Sequence, residues 1–482
     1  MSGHLAVVGG GITGVAAFNA LVAYGAAERI SVIDPLPVGR GTAFATSDPS
    51  LICNTSVDTL SLVPEEPEDF LHHLRAGGVD ARPEDFVPRW LVSRYARERF
   101  LAHRERAERR GVRVGHVRDR AVRVERTAAG DYRVALARGP ALPADGVLVC
   151  HGYGTPVVPE PVREHLGRPR MFAAPYPERD LLAALPAEPA RILVIGTRLS
   201  AIETTLLLTG RGHDVVMTSP SGELPAVRTH TLRPRGRYVD AAAVARLDLT
   251  DPRLERRVLR IVEQATARIR PLPLARQTDA SADPVRRLRA ETELAARGDI
   301  LWQEVMVELI DLVNDRTAGT PLEVREQALR RCHRLLGRYM GAFPLDNARR
   351  LLGLFDAGRV RLRRGIPERL TEAGGWRAHW PDGTTETFEA VVCATGLHHP
   401  VLEVTGGALH LTPGDEPDRR VPVVDAELRV HLAGAARPER IWLLGIAAHL
   451  GVPLVNAVYP AARQAAALGR RLAGRDTGER AA

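Results

Sequence analysis

Apolar positions along the chain gather into short runs bounded by glycine rather than into one long stretch. The opening segment HLAVVGGGITGVAAFNALVAYGAAERISVIDP holds an apolar run, a glycine cluster, an alanine-rich stretch and a second apolar run ending at Asp34. A strand-length apolar run closed by glycine predicts a buried strand, and the alanine-rich stretch predicts a helix. RILVIGTRLSAIETTLLLTGRGHDVV, from Arg191 to Val216, repeats that order. Each copy is followed by alternating segments broken at glycine or aspartate. These are GVRVGHVRDRAVRVERTAAGDYRVALARGPALPADGVLVCHG and GRVRLRRGIPERLTEAGGWRAHWPDGTTETFEAVVCATG, which predict short strands. Both close on an apolar strand and a glycine, at Gly152 and Gly396. The pattern predicts an α/β chain built from two copies of one strand–turn–helix module.

Between DVVMTS and the second set of strands lies a long insert, about residues 224–348. It opens on ELPAVRTHTLRPRGRY, rich in arginine and proline and expected as a solvated loop. DPRLERRVLRIVEQATARI and DILWQEVMVELIDLVND then carry apolar residues at helical spacing. A structureless loop of that length is implausible in a compact domain, so the insert is expected to be a helical subdomain. The tail RIWLLGIAAHLGVPLVNAVYPAARQAAALGRRL predicts a strand, a glycine turn and a helix from near Val458. Pro460 falls in the first turn of that helix, where its missing N–H does no harm.

The first glycine cluster reads Gly9-x-Gly11-x-x-Gly14. Glycine at 9 permits a tight turn, at 11 a close approach of backbone to a diphosphate, and at 14 close packing of helix on strand. Asp34 follows Gly14 by about twenty residues, the distance at which an acid meets a ribose hydroxyl in such a unit. The helix N-terminus then offers free N–H groups and a positive dipole end to the anion. In the second module Gly196, Arg198 and Ala201 take the three glycine places.

Composition narrows the chemistry. The 482 residues suffice for two or three domains. No apolar run approaches the roughly 20 residues of a membrane span, and the chain enters a strand at once, with neither a basic n-region nor a cleavage site. A cytoplasmic protein without a membrane partner is expected. Cys53, Cys150, Cys332 and Cys393 form no C-x-x-C pair, and the pairs His72-His73 and His398-His399 lack a third ligand at metal spacing, so no metal site is expected. All 66 basic residues are arginine, which removes Schiff-base and lysine-base chemistry. Stretches such as YARERFLAHRERAERR alternate arginine with glutamate, the pattern of a salt-bridged face rather than of a phosphate track, so nucleic acid is not an expected partner.

With both glycine turns, both strand ends and the closing helix in place, the chain resembles the two-dinucleotide-domain flavoproteins. Within them it is most similar to FAD- and NAD(P)-binding proteins related to flavin-dependent N-hydroxylating monooxygenases. GRGTAFATSDPSLICNTSVDTLSL is similar to that family's glycine-rich segment and leucine-x-asparagine-threonine stretch beside the flavin. PEEPEDFLHHL and DFVPRWLVSRYARERF are similar to its acidic-aromatic helix and the helix that follows, with Arg89 and Tyr95. The likeness is good to about residue 220, looser in the last part of the chain and poor in the insert, where substrate would be chosen.

The resemblance implies two Rossmann-like dinucleotide-binding domains: a discontinuous FAD domain over 1–185 and 401–482, and an NAD(P)-type domain over 186–400 that carries the helical insertion. Carried over by position, Gly9, Gly11, Gly14 and Asp34 would hold the ADP half of FAD. Arg40, Gly41 and Asn54 would lie near the flavin's middle and ring, and Gly152 would close the sheet beneath the adenine half. Gly445, Asn456 and the helix after them would face the ring, where the helix N-terminus stabilises negative charge on reduced flavin. Asn54 and Arg89 read equally well as turn or salt-bridge residues.

Gly196, Arg198 and Ser200 would hold NADPH or NADH. A side chain at 198 should obstruct a dinucleotide, whereas a guanidinium that swings out could pair with the diphosphate. Both outcomes are physically open, and replacement of Arg198 by glycine is expected to tighten NADPH binding. SPSG, Ser219 to Gly222, carries no charge where the family offers an arginine for a 2′-phosphate, and Arg228, Arg233 and Arg235 follow soon after as substitutes. The activity implied is that of an FAD-dependent monooxygenase of secondary metabolism, consuming NADPH or NADH and molecular oxygen. Its substrate would be a small amine or amino-acid-like metabolite, and N-hydroxylation the reaction. A flavin oxidase or dehydrogenase without a working nicotinamide site, and a non-catalytic FAD-bound scaffold, are the alternatives. No catalytic side chain is identified, and a homo-oligomer is compatible with the sequence.

Overall fold

The computed structural model describes residues 3–433, 435 and 437–474; the outermost ends of the expected FAD domain, residues 1–2 and 475–482, lie outside them. The chain opens with β1 (His4–Val8), passes through the first glycine turn into α1 (Ile12–Tyr24), and returns as β2 (Arg29–Ile33). The alanines of α1 are small enough to let the sheet and two other helices close on it, and most of the helix is buried. One of those helices is α2 (Arg89–Arg109), which leads into β3 (Arg113–Val117). A short antiparallel meander follows, and β4 (Gly146–Val149) ends the first half.

The second module repeats the sequence of events with β5 (Arg191–Ile195), α3 (Leu199–Thr209) and β6 (Asp214–Ser219). The insert then supplies, among others, α4 (Leu254–Ile269), α5 (Met306–Thr317) and α6 (Leu322–Arg331) before the crossover helix α7 (Leu345–Asp356). β7 (Val360–Arg364) and β8 (Ala390–Cys393) complete the second sheet, and β9 (Ile441–Leu443) and α8 (Val458–Leu472) close the chain.

Strand pairing sorts these into two parallel sheets. The first runs β9-β4-β1-β2-β3, and the second runs β7-β6-β5-β8 with Met171–Phe172 at its edge. Parallel strands covered on both faces must be apolar throughout, which accounts for the unbroken runs AVV, LVI and VVC. The register is the same in both modules: Val8 pairs with Ile33 and Ile195 with Thr218, so Ser219 takes the place of Asp34.

Two expectations for the insert need correction. The segment after Leu224 is not a solvated loop throughout, because Val227–Arg228 pairs with Phe343–Pro344 and Arg228 is only 7% exposed. Its guanidinium donates to Thr231 Oγ1 and to the carbonyls of Tyr339 and Met340, and burial pushes its pKa down to about 10. The limit near 348 falls inside α7, whose buried face continues through Leu351 and Leu352. Among the described residues no helix is long and apolar enough to cross a membrane.

Candidate functional site

Five segments converge on the first turn of α1. Gly9 sits at φ +103°, and a side-chain carbon there would lie 2.9 Å from the Cys150 carbonyl carbon just beyond β4. A carbon on Gly14 would overlap the Gly9 carbonyl oxygen, so only glycine lets α1 rest on the end of β1. Gly11 faces Gly41, and a carbon on Gly11 would lie 3.3 Å from the Gly41 Cα. Gly445, at φ +59°, packs on Thr13 and donates its N–H to Gln464 Oε1 at 2.8 Å. Asp34 accepts from the N–H groups of Gly10 and Leu36, both at 2.7 Å, which anchors its carboxylate at the mouth of the turn.

Arg40 and Gly152 flank this turn as exposed residues. Asn456 is exposed just before α8. Asn54 points to the insert, its Nδ2 donating to the Ala342 carbonyl at 2.9 Å, while its Oδ1 is buried without a partner. Arg89 takes the salt-bridge alternative: it pairs with Glu203 of α3, and its Nε donates to the Ile52 carbonyl at 3.2 Å. Tyr95 is a core residue whose hydroxyl donates to Asp69 Oδ2 at 2.6 Å.

The residues present fit a dinucleotide. α1 has no side-chain cap and no acid in its first turn, so its N–H groups and dipole remain available to an anion. Glycine-only cradles surround that terminus. Both ring nitrogens of His151, adjoining Cys150, are buried without a partner, and buried polar groups otherwise find one.

Sequence reasoning missed the histidines around this edge. The rings of His399 and His449 stack at 4.4 Å and 7°, and Tyr153 lies 6.0 Å from His399. Burial pushes His151 down to about 4, and burial with His399 beside it pushes His449 to about 4, so both are neutral near pH 7. The available signal was position alone: His151 follows the strand VLVC, and His449 follows Gly445 in the same short turn. Among the described residues no group of histidine, cysteine or acid is placed to hold a metal. All four cysteines are buried free thiols, and burial pushes Cys53 and Cys393 up to about 12.

The second turn keeps Gly196 at φ +138°, where the Ala394 carbonyl occupies the side-chain space, and Ala201 packs above it. Arg198 caps α3 at φ −101° and ψ −165°, close to Gly11 at φ −72° and ψ −165°. Any residue adopts that extended conformation, so the arginine adds no backbone strain. Its exposed guanidinium lies between the turn and the insert, where a carbon on Gly337 would be 2.7 Å from Cζ. Among the described residues it has no hydrogen-bond or ion-pair partner. Ser200 is half-buried in the first turn of α3. Ser219 Oγ meets Thr197 Oγ1 at 2.9 Å and accepts from the Gly222 N–H at 3.0 Å.

The arginines expected to replace a missing 2′-phosphate partner are engaged elsewhere. Arg228 is bolted to backbone carbonyls, Arg233 pairs with Asp58 at 2.6 Å and Arg235 with Glu84 at 3.3 Å.

The insert joins the first unit beside the segment leading to α8. Asn314 donates from Nδ2 to the Leu454 carbonyl at 2.9 Å and accepts from the Leu454 N–H at 3.0 Å. Arg325 donates to the carbonyls of Leu450 and Gly451. At that seam lies an apolar cavity of about 80 Å³, lined by Val258, Leu309, Ile310, Leu329, Pro453 and Leu454 among others.

Residues 6–154 match the family described as FAD-NAD(P)-binding. No curated protein sequence matches the chain. Among solved structures it is similar to ornithine hydroxylase from Pseudomonas aeruginosa in its reduced form, at 17% identity and TM-score 0.59, covering 98% of this chain and 100% of that one. L-lysine 6-monooxygenase from Pseudomonas syringae follows at 15% identity and TM-score 0.59, with 98% and 100% covered. An ornithine N-hydroxylase from Kutzneria sp. 744, with reduced FAD, NADP⁺ and L-ornithine, gives 13% identity and TM-score 0.60, with 99% and 100% covered. The fold is that of the two-dinucleotide-domain flavoproteins, similar to the N-hydroxylating flavin monooxygenases.

Proposed function

We propose that the chain is an FAD-dependent oxidoreductase of the cytoplasm, acting as an NAD(P)H-using monooxygenase on a small amine or amino-acid-like metabolite. Residues 1–185 and 401–482 form the FAD unit in this reading, and residues 186–400 the nicotinamide unit. The observation that carries it is the convergence of Gly9, Gly11, Gly14, Gly41 and Gly445 on the uncapped N-terminus of α1. FAD, when bound, supplies hydride acceptance and the activation of molecular oxygen.

The protein's own residues bind and position. The first amides of α1 hold the diphosphate, and Asp34 retains lone pairs for a ribose hydroxyl beside its two backbone bonds. His151, uncharged and unpartnered, offers one donor and one acceptor. Arg325 and Asn314 hold the insert against residues 450–454. The apolar lining there accepts the carbon skeleton of a substrate, which suits an aliphatic amine. Support for the amine comes from the fold shared with the ornithine and lysine enzymes.

The test is an assay of purified protein for FAD content, and for amine-dependent oxygen uptake with NADPH or NADH. A stoichiometric flavin and stimulation by an amine are expected. Flavin reduced by a substrate but by neither nicotinamide would favour the oxidase alternative, which the arginine at 198 keeps in view.

A further inference from the structure

Ser219 stands where the first module has Asp34, and the register extends that comparison to the neighbouring strand. Ser219 pairs with Arg364 at the carboxyl ends of β6 and β7, and the Gly365 N–H donates to the Ser219 carbonyl at 2.8 Å. We infer that Arg364 binds the 2′-phosphate of a nicotinamide dinucleotide and thereby selects NADPH over NADH. The inference rests on β5, α3 and β6 forming the nicotinamide site.

An acid at the end of the second strand accepts the ribose 2′-hydroxyl of NADH and repels a phosphate there. A serine leaves that place uncharged and able to donate. Gly222, at φ +67°, lies against the stem of Arg364: a carbon there would be 3.3 Å from Arg364 Cβ and 3.7 Å from Cγ. The loop Ser219–Gly222 and the Arg364 side chain therefore share one edge of the sheet.

The neighbouring arginines of β7 and of the turn before it are paired. Arg359 pairs with Asp214, Arg361 with Glu386, and Arg363 with Asp382 and Glu386. Glu223, the acid nearest in the loop, is held by Arg287. Arg364 is exposed, and among the described residues it has no hydrogen-bond or ion-pair partner. A free guanidinium on a stem that packs against the Ser219–Gly222 loop is suited to a phosphate dianion through charge-assisted bonds.

The experiment compares binding of 2′,5′-ADP and 5′-AMP to the FAD-loaded protein by calorimetry, in wild type and in Arg364→Ala, with melting temperature as the folding control. 2′,5′-ADP should bind about tenfold to a hundredfold more tightly than 5′-AMP. Arg364→Ala should erase that advantage and leave 5′-AMP binding unchanged, and Ser219→Asp should erase it independently by repulsion. Equal binding of the two compounds by wild type, or an advantage that survives in Arg364→Ala, overturns the inference while the nicotinamide site stands. Failure of wild type to bind either compound removes the nicotinamide site and the inference with it.

Discussion

Arg89 of α2 and Glu203 of α3 form a buried ion pair between the two strand–turn–helix units, with side chains only 18% and 7% exposed. The Tyr176 hydroxyl donates to the second carboxylate oxygen at 2.5 Å. Removing one member of a buried pair strands the other charge. Arg89→Met alone should therefore cost about 3 kcal/mol of stability, measured by urea unfolding, and Arg89→Met with Glu203→Leu should recover most of it. A single variant as stable as wild type would contradict the pairing.

The histidine edge predicts a pH response. His151 and His449 are held at about 4 against an ordinary 6.5, so the unfolded chain takes up protons first as pH falls. Their contribution to stability is complete above about 6.5 and is lost towards pH 4. Melting temperature should fall steadily across that window, and His449→Phe should reduce the slope. A flat profile would show that the two rings are not buried as described.

Arg198 takes a backbone conformation open to any residue, and its guanidinium lies unpaired near the amino end of α3. Arg198→Gly should weaken NADPH binding by about 1.5–3 kcal/mol, the scale of a hydrogen bond to a charged group. The sequence alone argued for tighter binding, on the ground that a side chain there obstructs. Titration of the variant distinguishes the two, and a gain in affinity would restore the obstruction reading.

The cavity at the insert seam makes a separate prediction. Ala328 of α6 is on its wall, and Ala328→Phe should fill it. Melting temperature and FAD content should hold, while amine-dependent oxygen uptake falls at least about tenfold, since one lost apolar contact group is worth about 1–3 kcal/mol. Unchanged uptake would place the substrate elsewhere.

What the sequence disclosed was local. Both glycine turns, the helices α4 and α5 and the α/β class were legible because each is written in one contiguous run. The surroundings of those turns were not. Gly41, Cys150 and Gly445 meet the α1 turn from distant segments, and their packing depends on sheet order. The absence of charge in SPSG was visible, but Arg364 becomes its neighbour only through the pairing of β6 with β7. The burial of Arg228 was hidden for a related reason, since its partners are carbonyls at the end of the insert.

The most direct test of the central claim is an anaerobic titration of the purified protein with NADPH, following the visible flavin spectrum. The account predicts a protein that carries FAD and is bleached by about one equivalent of NADPH, because a hydride delivers two electrons. A colourless protein that takes up no added FAD would contradict it.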